Sequence, residues 1–416
     1  MGPPAKPGFA YDVAVIGGGP AGCSAAIALG GRGLRVLVLE AKTYPHDKLC
    51  GEFLSPECAG LLEGLGLSER LLALDPAPIH TVCLTAPNGA AWETRLPGTA
   101  WGLTRRALDE ALAERARAVG AEVRVGCAVI DLAGSLEAGY TLHTRARGGR
   151  VGELRARAVI GAHGKRAALD AALERPFLRQ TQPFVALKAH YHGPPLPGRI
   201  ELHGFPGGYC GLSEFETGAG SSVRAANLCL LAHSSAFRAG AGAGPDRVGA
   251  FMRWMRARNP RLEAWLSQAT PLTGRWLSIA QVPFTGKQPV EGGVLLAGDA
   301  AGLIVPLAGD GIAMALRAGA LAAEHVTGFL AERVSAATLR RGYAADWQRE
   351  FGPRLRLARV LQPLMLRPGW LGLGLRLLRA VPRLGQYLVT HTRDPRSGAG
   401  APTAWPRNLE PQEERA

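Results

Sequence analysis

Hydrophobic and polar positions near the N-terminus predict a strand, a helix and a second strand in quick succession. Val13–Ile16 and Val36–Leu39 are short apolar runs typical of buried strands, and Ala21–Leu29 between them is an alanine-rich helical stretch. Such a βαβ unit of about 30 residues is the first half of a Rossmann-type dinucleotide-binding domain. The sequence therefore predicts an α/β fold that begins with this domain.

Further along the chain, helical and strand-like patterns predict two more structural regions. An amphipathic helix is expected over 103–119, with apolar positions at helical spacing. Between about 179 and 285 the texture changes to strand-like runs such as Phe184–His190, separated by Gly/Pro turns, which predicts a largely antiparallel sheet. The chain then returns to a buried strand at Gly293–Gly298 and a long helix from Gly311.

These patterns predict two interleaved domains and a C-terminal segment. The expected ranges are a discontinuous dinucleotide-binding domain at 10–75, 100–175 and 286–335, a substrate-binding β-sheet domain at 76–99 and 176–285, a helical segment at 336–393 and a disordered tail at 394–416.

Composition narrows the function classes. The 416-residue chain carries a formal net charge of +14, and only six of its 48 basic residues are lysine. The excess of arginine is explained equally well by the codon bias of a GC-rich genome and by a selected anionic partner. No nucleic-acid-binding signature accompanies the charge, so no nucleic-acid partner is expected. Seven scattered cysteines and an N-terminus without an apolar leader predict a cytoplasmic protein. The sequence does not indicate an oligomeric state.

The first glycine-rich motif has the pattern that binds a pyrophosphate. Gly17-Gly18-Gly19-Pro20-Ala21-Gly22 lies directly after a strand and directly before a helix, so the free N–H groups of the helix N-terminus can receive an anion. Glu40 ends the second strand, where an acid is needed for ribose hydroxyls.

A second motif indicates which dinucleotide is bound. Gly293–Gly302 is a buried strand that runs into Gly298-Asp299, and the turn Pro306–Gly311 precedes a helix. This set resembles the FAD-dependent hydroxylase superfamily (para-hydroxybenzoate hydroxylase-like), and more closely its geranylgeranyl reductase branch. The resemblance implies that Asp299 binds ribityl or ribose hydroxyls of FAD. It also implies that the Pro306–Gly311 turn lies against the pyrophosphate and the isoalloxazine ring.

Other segments also resemble the reductase branch. Lys48-Leu49-Cys50-Gly51-Glu52 is similar to a K-x-C-G segment near the flavin, and Arg105 is similar to an arginine that contacts the FAD phosphates. Phe205 and Tyr209 lie in a segment that the resemblance places on the substrate sheet facing the flavin. The cofactor-binding residues predicted in this way are Gly17, Gly19, Pro20, Ala21, Gly22, Glu40, Lys48, Cys50, Gly51, Arg105, Gly164, Gly298, Asp299, Pro306, Gly309, Gly311 and Ile312.

One position departs from the family pattern. Gly161-Ala162-His163-Gly164 has His163 where the family usually has an aspartate that helps to anchor the pyrophosphate and the nicotinamide donor. His163 is interpreted as a tolerated change rather than a functional residue near the flavin. NAD(P)H is the expected electron donor, with ferredoxin or another donor as the alternative.

Two interpretations apply to Cys50, and none of the histidines suggests a metal site. A lone cysteine is usually a small buried hydrophobe, but the K-x-C-G resemblance makes Cys50 the candidate catalytic acid. His190 and His192 lie two apart on one strand, which alone does not make a metal site, so no metal is predicted.

The C-terminal segment combines arginines and leucines. Residues 351–393 contain eight arginines, no acid and Trp370, and Pro363, Pro368 and Pro382 are expected to divide the segment into short helices. These helices either close the substrate cavity or lie on an anionic membrane as a peripheral contact.

Taken together, the sequence predicts an FAD-dependent oxidoreductase that acts on a lipophilic substrate, polyprenyl or phenolic. Reduction of carbon–carbon double bonds is favoured, and a single-component flavin monooxygenase is the alternative. A flavin halogenase is disfavoured because its W-x-W-x-I-P segment is absent from the sequence. A non-enzymatic protein of the prenyl-protein escort type is the remote alternative.

Overall fold

A computed structural model describes residues 8–216, 225–305 and 309–391. In chain order its strands are β1 (Tyr11–Ile16), β2 (Val36–Glu40), β3 (Phe53–Leu54), β4 (Ala77–Thr85), β5 (Ala91–Gly102), β6 (Glu122–Val125), β7 (Cys127–Ser135), β8 (Gly139–Ala146), β9 (Val151–Gly161), β10 (Phe184–His192), β11 (Arg199–Phe205), β12 (Gly208–Phe215), β13 (Ala225–His233), β14 (Thr270–Pro271), β15 (Leu277–Ala280), β16 (Val290–Glu291) and β17 (Val294–Leu296).

Its helices, in the same order, are α1 (Pro20–Gly30), α2 (Glu57–Gly64), α3 (Ser68–Leu72), α4 (Arg105–Ala118), α5 (Ala168–Ala172), α6 (Ser234–Ala241), α7 (Arg247–Arg256), α8 (Pro260–Leu266), α9 (Gly311–Leu330), α10 (Ala336–Leu366), α11 (Pro368–Ala380) and α12 (Pro382–His391). The predicted βαβ unit is thus present as β1, α1 and β2, and the predicted amphipathic helix as α4.

The first sheet has the parallel core of a Rossmann-type fold. Its order is β16-β17-β9-β1-β2-β6, in which β17, β9, β1, β2 and β6 run parallel. The apolar run of β1 is buried because helices cover the sheet. Helices α1 and α9 approach so closely that a Cβ at Gly319 would lie 2.1 Å from the carbonyl oxygen of Ala21, which explains why both helices are rich in small residues.

The second sheet is largely antiparallel, as the sequence predicts. Its order is β14-β10-β13-β12-β11-β4-β5-β3, with β11 and β4 as its parallel pair. Its outer face packs against α7 and α8 in a separate hydrophobic cluster, and its inner face joins the main core. The division into two domains stays a prediction. Two stretches predicted for the first domain, Phe53–Leu54 and 100–102, pair within the second sheet.

One expectation for the C-terminal segment is wrong. Pro368 and Pro382 begin helices as expected, but Pro363 lies inside α10, a helix of 31 residues. The buried stripe of α10 continues past it at helical spacing, from Phe351 through Ala358 to Met365. Because Pro363 itself is exposed, packing of this stripe on the core outweighs the lost backbone hydrogen bond. The predicted tail at 394–416 lies outside the described residues.

Candidate functional site

The first glycine turn leaves the N-terminus of α1 open to an anion. Gly17 has a φ of +105°, and a Cβ there would lie 2.4 Å from the carbonyl oxygen of Ala162. A Cβ on Gly22 would lie 1.8 Å from the carbonyl oxygen of Gly17. The residue before α1 is Gly19, so no side chain caps the helix, and α1 begins with Pro20. Backbone N–H groups are therefore available to a phosphate.

Glu40 lies beside this turn as an ionised carboxylate. Its Oε2 accepts a hydrogen bond from the Gly18 N–H at 2.9 Å, and its Oε1 accepts one from the Lys42 N–H at 3.0 Å. Burial alone would raise the pKa of Glu40, but Lys48, whose Nζ is 3.7 Å away, and the two amides lower it overall. A carboxylate in this position can accept hydrogen bonds from ribose hydroxyls.

Arg105 brings a positive charge to the same turn. It follows Thr104, whose hydroxyl caps α4, and its guanidinium donates two hydrogen bonds to Asp109 at 2.8 and 2.7 Å. Burial opposes the charge, but Asp109 raises the pKa of Arg105 overall. Its terminal nitrogen lies 3.3 Å from where a Cβ on Gly19 would stand. The arginine can therefore contact a phosphate bound at the N-terminus of α1.

The second motif lies next to the first. A Cβ on Gly298 would be 3.0 Å from the Cβ of Ala21 in α1. The carboxylate of Asp299 pairs with Lys165 at 3.3 Å. Lys287 donates to the backbone oxygens of Asp299 at 2.6 Å and of Gly164 at 3.4 Å. Gly164 is thereby held close to Asp299.

The helix that follows this motif begins beside the same region. Gly311 opens α9 and lines a cavity with Asp299, and Ile312 is buried in the core. A Cβ on Gly309 would lie 3.0 Å from the ring of Phe53. Pro306 lies outside the described residues. An uncapped helix N-terminus, a carboxylate, an arginine and a second glycine turn thus meet at one place, and this arrangement fits the dinucleotide part of FAD.

The segment predicted to lie near the flavin is attached to the second sheet through its backbone. The carbonyl oxygens of the successive residues 48 to 51 accept hydrogen bonds, in order, from the side chains of Lys188, Lys165, Asn227 and Ser213, at 3.1, 3.2, 3.0 and 3.5 Å. Three of these donors stand on the inner face of the second sheet. The half-buried Cys50 is therefore fixed at the junction between the two sheets.

Sequence reasoning missed the residue that ends this segment. Glu52 is fully buried and has a φ of +54°. Its carboxylate accepts hydrogen bonds from Lys188 Nζ at 2.5 Å, from His190 Nε2 at 2.7 Å and from the backbone N–H of Arg105 at 3.0 Å. Burial would raise the pKa of Glu52, but His190 and Lys188 lower it overall. Polar residues at alternate positions 188, 190 and 192 of an otherwise apolar strand were the available signal.

The two residues predicted to face the substrate lie on opposite faces of the second sheet. Tyr209 is on the inner face, within the main core. Phe205 pairs with Gly208, the residue before Tyr209, and neighbouring residues of a strand point to opposite faces. The ring of Phe205 therefore points to the outer face. There it contacts Phe251 and Trp254 of α7, with ring centroids 5.9 and 6.3 Å away. The structure thus places Tyr209, but not Phe205, on the inner face, and the substrate-facing role of both residues stays a prediction.

His163 takes part in a buried ionic network. Its Nε2 lies 2.9 Å from Asp170 Oδ1, which also accepts a hydrogen bond from Arg175 at 2.8 Å. Burial would raise the pKa of Asp170, but His163 and Arg175 lower it to about 2. Arg175 also donates to the carbonyl oxygen of Ala300 at 2.9 Å, next to the Gly298-Asp299 turn. His163 thus has a buried carboxylate as a partner, and its interpretation as a tolerated change stays a prediction.

Comparison with known proteins agrees with this geometry. Residues 10–340 match the family described as FAD binding domain. The chain is 31% identical over 363 residues to digeranylgeranylglycerophospholipid reductase 2 of Methanopyrus kandleri, which covers 84% of this chain and 85% of the relative. It is 29% identical over 337 residues to menaquinone reductase of Mycolicibacterium smegmatis, covering 76% of each chain.

Solved structures share the fold. The chondrochloren halogenase CndH superimposes with a TM-score of 0.73 at 22% identity, covering 91% of this chain and 89% of the other. The halogenase PltM, as a mutant in complex with FAD, gives a TM-score of 0.71 at 15% identity, covering 91% and 85%. At these identities the likeness shows the fold alone. From the family match and the Methanopyrus relative, the chain belongs to the FAD-binding oxidoreductases of the para-hydroxybenzoate hydroxylase-like superfamily.

Proposed function

We propose that the protein is an FAD-dependent reductase that saturates carbon–carbon double bonds of a lipophilic substrate, a polyprenyl lipid or a prenylated quinone. The main support is the similarity over 84% of the chain to a digeranylgeranylglycerophospholipid reductase. NAD(P)H is the proposed electron donor. A flavin monooxygenase is the second candidate, because the glycine motifs of the chain also resemble those of the FAD-dependent hydroxylases in the same superfamily.

The chain's own residues would bind and orient the cofactor. The N–H groups of α1 and the Arg105 guanidinium would hold the pyrophosphate, and Glu40 and Asp299 would hold hydroxyl groups. When bound, reduced FAD supplies the hydride for the reduction. The Cys50 segment would border the ring on the side of the second sheet, where its carbonyls hold it in place.

The purified protein should reduce a prenyl lipid without oxygen. We expect anaerobic incubation with NADPH, or with dithionite as a substitute reductant, to add two hydrogen atoms per double bond to a geranylgeranylated phospholipid or a menaquinone. Mass spectrometry of the extracted lipid measures this change. An oxygen atom incorporated only in air, with no hydrogenated product, would instead establish the monooxygenase.

We also infer that the substrate comes from an anionic membrane that contacts α10 to α12. None of the described helices is long and apolar enough to cross a bilayer. Along α11, however, Trp370, Leu373 and Leu377 form an exposed stripe, with exposed fractions of 56, 60 and 51%. The opposite side of α11 packs on the second sheet, where a Cβ on Gly204 would lie 2.2 Å from Leu371. The exposed stripe therefore adjoins the sheet proposed to hold the substrate.

Charge around this stripe fits an anionic lipid surface. Residues 351–391 contain no acid, and six of their arginines are exposed: Arg356, Arg359, Arg367, Arg376, Arg379 and Arg383. A helix with tryptophan and leucine on its exposed face and arginines beside them suits the headgroup region of a bilayer. Each basic residue near an anionic surface contributes about 1 kcal/mol of binding.

Vesicle binding should depend on these arginines. We expect the double variant Arg376→Gln/Arg379→Gln to bind phosphatidylglycerol-containing vesicles roughly 30-fold more weakly, at about 1 kcal/mol per arginine. Co-sedimentation measures the change, and Arg145→Gln/Arg147→Gln on exposed positions of the first sheet's periphery is the matched control. Equal losses of vesicle affinity in both double variants would mean that net charge alone drives binding. No loss in either would exclude this surface as the membrane contact.

A further inference from the structure

His190 is held on the inner face of the second sheet with one ring nitrogen unused. Its Nε2 lies 2.7 Å from Glu52 Oε2, and its side chain is 18% exposed. Within the described part of the chain, Nδ1 has no hydrogen-bond partner and is not among the buried polar atoms. The imidazole therefore has one nitrogen fixed by a carboxylate and one that can exchange protons.

Glu52 fixes the orientation of the His190 ring. Its buried, ionised carboxylate is held by three donors, one of which is His190 Nε2. The Lys188 ammonium is paired with the same carboxylate. A second titratable group follows a residue that packs on this ring. The ring centroid of Phe215 is 4.4 Å from that of His190, and the next residue is Glu216, whose pKa is raised to about 7 by burial.

The chain connects this histidine directly to the proposed flavin region. Glu52 follows the Cys50 segment and precedes Phe53, whose ring lies against Gly309. Consecutive Cα atoms are 3.8 Å apart, so the partner of His190 is one residue away from a contact with the Gly309 turn. His190 is thus bonded, through Glu52, to the chain segment that leads from Cys50 to the Gly309 contact.

We propose that His190, positioned by Glu52, is the proton donor of the double-bond reduction. The inference rests on the proposed function. A hydride from the reduced cofactor adds to one carbon of the double bond, and the proton on His190 Nδ1 adds to the other carbon. The double bond becomes a single bond, two electrons leave the cofactor, and neutral His190 takes a new proton from water. Glu52 is a positioning residue, because it acts through the imidazole.

Single-turnover kinetics of the flavin-loaded protein can test this assignment. The protein is first reduced with dithionite without oxygen and then mixed with a geranylgeranylated phospholipid in detergent. Flavin absorbance follows reoxidation across a range of pH, in water and in D₂O. The variants are His190→Asn, Glu52→Gln and Cys50→Ala. The matched control is His192→Asn, because His192 is exposed and lies two residues along the same strand.

We expect His190→Asn to slow reoxidation about 100-fold or more, the usual range for loss of a general acid, and to abolish the acid-dependent limb of its pH profile. Glu52→Gln should slow it less and move that limb to lower pH, because the imidazolium loses its carboxylate. His192→Asn should stay within about twofold, as for a surface change. The spectrum of the bound flavin and its reduction by dithionite should be unchanged in His190→Asn and His192→Asn.

Three results would overturn the assignment. Reoxidation of His190→Asn at the wild-type rate with a large loss in Cys50→Ala would make the Cys50 thiol the donor. An equal loss in His190→Asn and His192→Asn would show a non-specific effect on the strand. If wild-type protein hydrogenates neither this phospholipid nor a menaquinone, the proposed function fails, and the assignment fails with it.

Discussion

Replacing Gly22 by alanine is expected to give a protein without bound flavin. The added Cβ would stand 1.8 Å from the carbonyl oxygen of Gly17, so the backbone of the turn must move. That turn aims the N–H groups of α1 at the phosphates. We expect less than about a tenth of the wild-type flavin content, because anion binding at a helix N-terminus depends on this geometry.

Absorbance at the flavin band relative to the protein band measures this loss, and circular dichroism shows whether the fold persists. Gly64→Ala is the matched control, since a Cβ there has no atom within 4 Å. Glu40→Gln is a milder second variant that leaves the turn unhindered and should weaken FAD binding without removing it. Normal flavin content in Gly22→Ala would mean that the cofactor does not use this turn.

The second large effect is expected from Asp170→Ala, which should destabilise the protein by about 3–5 kcal/mol. The substitution removes the carboxylate shared by His163 and Arg175 and leaves the fully buried Arg175 guanidinium with Glu291 as its remaining carboxylate, 3.3 Å away. A buried charge that loses a partner bears its desolvation penalty without compensation. Urea denaturation at neutral pH measures the difference.

The same carboxylate should make stability depend on acid pH. The pKa of Asp170 is lowered from 3.8 to about 2 in the folded protein. Its stabilising contribution is therefore complete above about pH 4 and is lost as pH falls through about 2. Asp170→Ala should lack this part of the acid dependence.

Asp131→Ala, on an exposed strand position, is the control for Asp170→Ala and should change stability by less than about 0.5 kcal/mol. A wild-type unfolding midpoint for Asp170→Ala would contradict the importance of the network.

The parts of the fold that the sequence predicts well are those whose pattern is local. The βαβ unit, the turn at Gly17 and helix α4 each depend on residues close together in the chain. The family resemblance then identified the second motif at Gly298-Asp299, which the structure brings beside the first. Whether these residues bind FAD in the manner expected stays a prediction.

The differences from the sequence analysis have three physical causes. Glu52 meets Lys188 and His190 from 136 and 138 residues away, and no local pattern contains such a contact. Phe205 was assigned by motif, but which face a strand residue occupies depends on the phase of the strand, and a shift of one residue reverses it. Tertiary packing likewise overrides the helix-breaking tendency of Pro363.

The carbonyl contacts of residues 48, 50 and 51 have a mechanical consequence. These residues follow the first sheet in the chain, yet the side chains that hold them come from the second sheet. Residue 49 between them is held instead by Lys165, which also pairs with Asp299 of the second motif. A shift of one sheet against the other would therefore have to break contacts on one side of Cys50 or the other.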